Sequence, residues 1–140
     1  MARARKIRRI VGVTLLWMLS VLMTLAMLAV GVGKVMGVAP WPQYFEAWGY
    51  APWFRVSVGV FQTAGGVLLL VPPVAFYAAV GLVVVMVGAE LTELTNDVGF
   101  GPVIPLFYIA LLSVILLVRG RRWRQLRAGR DEGGRQSPSA

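Results

Sequence analysis

From Ile10 to Gly33 the chain runs for 24 residues without a charged side chain, IVGVTLLWMLSVLMTLAMLAVGVG. At 1.5 Å per residue a helix of that length covers about 36 Å, against a bilayer hydrocarbon core of about 30 Å. The run is too long for the apolar region of a signal peptide, which is about 7–15 residues. Three further apolar stretches follow: Phe54 to Val71, interrupted by Arg55 and Gln62, then Val74 to Ala89, then Val103 to Val118. A soluble domain of 140 residues has no interior able to hide four such stretches, and only 14% of the residues are charged, where soluble domains carry about 25%. The fold class read from the sequence is all-α: a polytopic membrane protein built as an antiparallel bundle of four transmembrane helices.

The expected spans are about 10–34, 54–71, 73–94 and 102–118, inside a transmembrane domain 10–118. Pro72-Pro73 joins the second and third in a turn that only antiparallel neighbours allow. The loop 35–53 holds Pro40, Trp41, Pro42, Tyr44, Phe45, Trp48 and Tyr50. Trp and Tyr favour the headgroup layer, so this outer loop lies on the membrane surface or folds over the bundle mouth, with a short helix at Gln43 to Trp48. Of the net charge of +8, the tail 1–9 contributes five basic residues and the segment 119–140 seven arginines. The remaining loops carry Lys34 and Arg55 beside Glu46, Glu90, Glu93 and Asp97. Basic ends stay inside, which places both termini in the cytoplasm and the protein in the cytoplasmic (inner) membrane. Attraction to anionic headgroups accounts for the basic run at 119–130 without nucleic acid. The last residues, rich in Gly and Ser, should fray.

No cysteine and no histidine occurs in the chain. Thiol redox chemistry, thiolate nucleophiles and imidazole bases or metal ligands are therefore excluded. No catalytic motif appears. Glu90, Glu93 and Asp97 share a helical face, but three carboxylates at a helix end are more simply solvated than metal-binding, so no metal site is assigned.

The polar residues inside the spans are the informative ones. Ser20, Thr24, Met27, Gly31 and Lys34 recur at spacings of 4, 3, 4 and 3, and Arg55, Gly59, Gln62 and Gly66 at 4, 3 and 4. Each set is one face of a helix, small and polar where lipid favours large aliphatic side chains, so both should face the bundle interior. Gly31, Gly59, Gly66, Gly81 and Gly88 are read as helix-packing positions. Counted from the ends of their helices, Arg55 and Glu90 both stand about 25 Å above the cytoplasmic boundary, which predicts a facing ion pair. Gln62 and Tyr108 both stand about 15 Å up, near Ser20, which predicts a hydrogen-bonded layer at mid-depth. Lys34, Arg55, Gln62, Glu90 and Tyr108 together outline a pocket for a small amphipathic molecule, open to the outer side.

The motifs Gly31-Val-Gly-Lys34-Val-Met-Gly37, Tyr50-Ala-Pro52, Gly59-Val-Phe-Gln62-Thr-Ala-Gly65-Gly66 and Met86-Val-Gly88-Ala89-Glu90 resemble those of DoxX and DoxX-like proteins, small four-helix membrane proteins. Gln62 stands where that family commonly has an acid, and no histidine follows Gly88-Ala89, where some members have one. The resemblance implies a four-helix fold and a membrane location. It also implies association with redox systems, since members accompany thiosulfate:quinone oxidoreductases and oxidative-stress complexes, while distant relatives act in membrane-protein maturation. The expected function is a non-catalytic or accessory subunit of a membrane redox system, holding a quinone or a lipid and partnered by other redox subunits. A scaffold or assembly factor for a client membrane protein is the alternative, cued by a Gly81/Gly88 face left unused inside the bundle. A small-solute permease is disfavoured because little polarity lies between Gln62 and Val71.

Overall fold

The computed structural model describes residues 2–96, 99, 101 and 103–135. Five helices follow one another: α1 (Ala2–Met36), α2 (Trp41–Ala47), α3 (Pro52–Leu68), α4 (Ala75–Thr95) and α5 (Val103–Arg135). No strand occurs among the described residues. Three helical stretches are long and apolar enough to cross a membrane: Lys6–Met36, Ala75–Thr95 and Val103–Arg121. The second apolar stretch of the sequence becomes α3, which has 17 residues.

Local chemistry sets the ends of these helices. α1 begins at Ala2, well before Ile10, because Arg and Lys propagate a helix readily and nothing in the basic segment breaks one. It stops at Gly37, whose φ is 69°. There the Gly37 N–H donates to the Lys34 carbonyl at 3.3 Å and the Val38 N–H to the Gly33 carbonyl at 3.0 Å. This closure needs a left-handed residue, which glycine adopts without a Cβ clash. Pro52 opens α3 in its first turn, where a missing N–H costs nothing. α3 ends in tight bonds from Leu70 N–H to Val67 and from Val71 N–H to Leu68, and Pro72 and Pro73 then lack the donors to continue it. α5 runs past Val118 to Arg135, so the basic run after the last span is helical; of the Gly- and Ser-rich end expected to fray, residues 136–140 lie outside the described residues.

α1 lies along α3 and α4 along α5, while α3 meets α4 more sparingly. Glycines set the first of these contacts. A Cβ on Gly59 would lie 2.6 Å from the Gly31 carbonyl oxygen, and one on Gly66 2.8 Å from the Cβ of Met27. A Cβ on Gly31 would run into Thr63. Thr24 Oγ donates across the same contact to the Gly66 carbonyl at 2.7 Å. One apolar core gathers Leu16, Met23 and Met27 from α1, Leu69 just after α3, Ala79, Leu82 and Met86 from α4, and Leu112 and Ile115 from α5.

The outer faces are inverted relative to a soluble protein. Leu15, Met18, Leu22 and Leu25, one stripe of α1, are 58–64% exposed. Ser20, Thr24, Lys34, Gln62 and Glu90 are instead buried. A chain that turns its polar side chains in and leaves its leucines out is arranged for lipid, and the protein is a membrane protein.

Candidate functional site

A cavity of about 740 Å³ lies where all five helices converge, near the end at which α1 stops and α3 begins. Trp41 and Phe45 of α2 and Trp48 at its C-terminal cap line it. Their spacings of 4 and 3 put them on one face of that short helix. Phe45 is the buried anchor of this face: its ring centroid is 5.3 Å from Trp48 and 6.0 Å from Tyr50. The Tyr50 hydroxyl and Thr92 Oγ are 3.1 Å apart, which ties the segment after α2 to α4.

Lys34 and Gln62 form the polar centre of the wall. Lys34 Nζ donates to Gln62 Oε1 at 2.7 Å and stands 4.6 Å from the Trp41 ring centroid, a cation–π distance. Side chains on a helix lean toward its N-terminus. On antiparallel neighbours they lean in opposite senses, so Lys34 reaches back along α1 while Gln62 reaches up along α3, and the two meet from different levels. Glu93 also lines the cavity and interacts electrostatically with Lys34. Sequence reasoning expects Glu93 to be solvated at the end of its helix, but seven residues separate it from the core residue Met86, which puts the two on one face. Asp97 lies outside the described residues.

The same lean explains why the expected Arg55–Glu90 pair does not form. Arg55 reaches from the first turn of α3 toward the end of α1, where its Nη1 donates to the Lys34 carbonyl, and its guanidinium lies 3.5 Å from where a Cβ on Gly37 would be. Carbonyls at a helix C-terminus lack intrahelical donors and carry partial negative charge, so they attract the guanidinium. Glu90 leans the other way along α4. It is buried on the stripe Ala75, Ala79, Leu82, Met86, Glu90, and its Oε2 has no hydrogen-bond partner among the described residues. Neither Arg55 nor Glu90 lines the cavity, whereas Lys34, Gln62 and Tyr108 do.

The expected mid-depth layer also divides. Tyr108 has no hydrogen bond to Gln62 or Ser20 among the described residues. Ser20 belongs to a second polar knot at the opposite end of α3. There Arg119 Nη2 donates to Ser20 Oγ at 3.2 Å and to the Leu69 carbonyl at 3.1 Å. Arg119 was legible only as one of several basic residues after the last span. Its long stem lets the guanidinium reach back into the core edge and satisfy a carbonyl that α3 leaves open.

Gly81 and Gly88 line the cavity on α4 with Val85 and Thr92, at spacings of 4, 3 and 4. A Cβ on Gly81 would sit 3.2 Å from the Phe61 ring, but one on Gly88 would meet nothing within 4 Å. Gly88 is therefore not at a close helix approach, and its missing side chain enlarges the cavity.

A profile of the DoxX-like family matches residues 18–115. The chain belongs to the DoxX-like family. The match takes in the end of α1 that carries Lys34, the whole of α3 with Gln62, and the α4 wall of the cavity. No curated protein and no solved structure matches the chain.

Proposed function

We propose that this DoxX-like protein holds a small amphipathic ligand, such as a quinone or a lipid, in the aromatic cavity, and acts as a non-catalytic accessory subunit of a membrane redox system. The observation that carries the reading is the Lys34–Gln62 pair set in the wall of a largely apolar cavity that Glu93 also lines. A buried cation inside a membrane protein is costly and is retained where it binds or conducts something. In this reading Lys34 and Gln62 hold the polar head of the ligand, the aromatic face of α2 covers it, and Tyr108 borders it. Arg55 fixes the end of α1 and so positions Lys34, while Glu90 stands in the same outer layer.

The proposal places the chain in the cytoplasmic membrane as an antiparallel four-span bundle, with the cavity toward the outer side and both termini cytoplasmic. α3 covers about 26 Å and crosses with the help of the turn that follows it. The clustering of arginines and lysines near both termini supports the orientation. The test is purification of the full chain in native lipid nanodiscs, followed by mass spectrometry of co-purified proteins and small molecules. An amphipathic molecule retained by the wild type and lost from Gln62→Leu, together with redox subunits, is the expected result. A client membrane protein retained with no such molecule would replace the reading by an assembly role.

A further inference from the structure

We infer that the occupant of the cavity is an uncharged amphiphile whose head presents an acceptor oxygen, of carbonyl type, to Lys34 and Gln62. The inference rests on the ligand-binding reading above and specifies its chemistry. Lys34 has donors only, so the Gln62 carbonyl must face it, and the Gln62 amide N–H2 is turned the other way. That amide nitrogen has no hydrogen-bond partner among the described residues, and Gln62 lines the cavity. The two side chains therefore offer a ligand donors and no free acceptor, which selects an acceptor in the head.

Charge narrows the choice. Glu93 lines the same wall as Lys34, and Arg55 is held against the end of α1. An anionic head would meet the Glu93 carboxylate in the same wall, which repels it. A cationic head would be repelled by Lys34. A neutral acceptor takes the hydrogen bonds and meets neither repulsion. The remaining wall, including Met27, Val30, Phe61, Val84, Val85 and Met86, suits a hydrocarbon chain.

Tryptophan quenching by bromine-labelled probes tests this. Trp41 and Trp48 line the cavity, so the other three tryptophans, Trp17, Trp53 and Trp123, are changed to Phe and the full chain is placed in phosphatidylcholine nanodiscs. Three probes carry the same dibrominated chain and differ in head: a methyl ester, a sulfonate, and a plain hydrocarbon. The ester is expected to reach half-maximal quenching at about a five- to tenfold lower mole fraction than the other two, the ratio that one or two hydrogen bonds supply. Gln62→Leu should bring the ester to the level of the hydrocarbon. Preference for the sulfonate, or equal quenching by ester and hydrocarbon, overturns the inference about the head but leaves the cavity reading standing. Gly88→Leu, which directs a side chain into open space, should abolish saturable quenching while circular dichroism stays unchanged. If no probe quenches the parent more than Gly88→Leu, the ligand-binding reading itself falls.

Discussion

Replacing Lys34 and Gln62 singly and together asks whether their contact is a coupled unit. Lys34→Met removes the ammonium, its 2.7 Å bond to Gln62 and its contact with the Trp41 ring. It leaves a buried amide carbonyl without a donor and Glu93 without its nearby cation. An unpartnered buried polar group costs about 1–3 kcal/mol. Gln62→Leu leaves the ammonium one acceptor short, at about 1.5–3 kcal/mol for a bond to a charged group. The double variant carries neither orphan. Neutral hydrogen bonds between membrane helices average about 0.6 kcal/mol in double-mutant cycles, with a maximum of about 1.7. A charged donor roughly doubles such a bond, so the coupling here should be about 1–2 kcal/mol. Reversible unfolding in mixed micelles, by steric trapping or denaturant titration, measures it. Single effects that add within about 0.5 kcal/mol would refute the pairing as a source of stability, and with it the orientation of the Gln62 amide on which the ligand chemistry depends.

Several other outcomes follow from the geometry. Gly59→Ala should destabilise by about 1–3 kcal/mol, because its Cβ would press on the Gly31 carbonyl at 2.6 Å. Gly88→Ala should be neutral or stabilising by up to about 1 kcal/mol, since it meets open space and alanine favours a helix; the same unfolding assay compares the two. Arg119→Leu should cost about 1–3 kcal/mol, because the Leu69 carbonyl and Ser20 hydroxyl lose a charged donor, and Arg119→Lys, read in the same assay, should recover only part of it. The chain has no cysteine, so single cysteines introduced at Ala4 and Ser139 report orientation directly. In sealed right-side-out cells both should resist a membrane-impermeant maleimide until the membrane is opened, and labelling of either one beforehand would refute the cytoplasmic termini.

Much of the architecture was readable because lipid imposes a simple rule on a helix. The small and polar stripes Ser20–Thr24–Met27–Gly31–Lys34 and Arg55–Gly59–Gln62–Gly66 had to turn inward, and in the structure all of these residues are buried except Arg55, which is half-buried. The short helix in the aromatic loop was also readable, and α2 forms at Trp41–Ala47. What escaped was the partner of each polar group. Counting rise per residue gives the level of a Cα, but Lys, Arg, Glu and Gln reach several ångströms from it, and helix direction decides which way they lean. Arg55 and Glu90 share a level and lean apart. Lys34 and Gln62 stand at different levels and meet.

The sequence alone determined that this chain is helical and lies in a membrane, and which faces of the first two apolar helices avoid lipid, because those properties follow from the length and periodicity of apolar runs. Only the tertiary structure decided that Lys34 binds Gln62, that Glu93 and not Glu90 lines the cavity, that Arg119 reaches back to the end of α3, and that the absent side chain of Gly88 opens space in place of a helix contact. Those facts depend on how neighbouring helices are rotated and which way their side chains point, and no periodicity within a single helix encodes either.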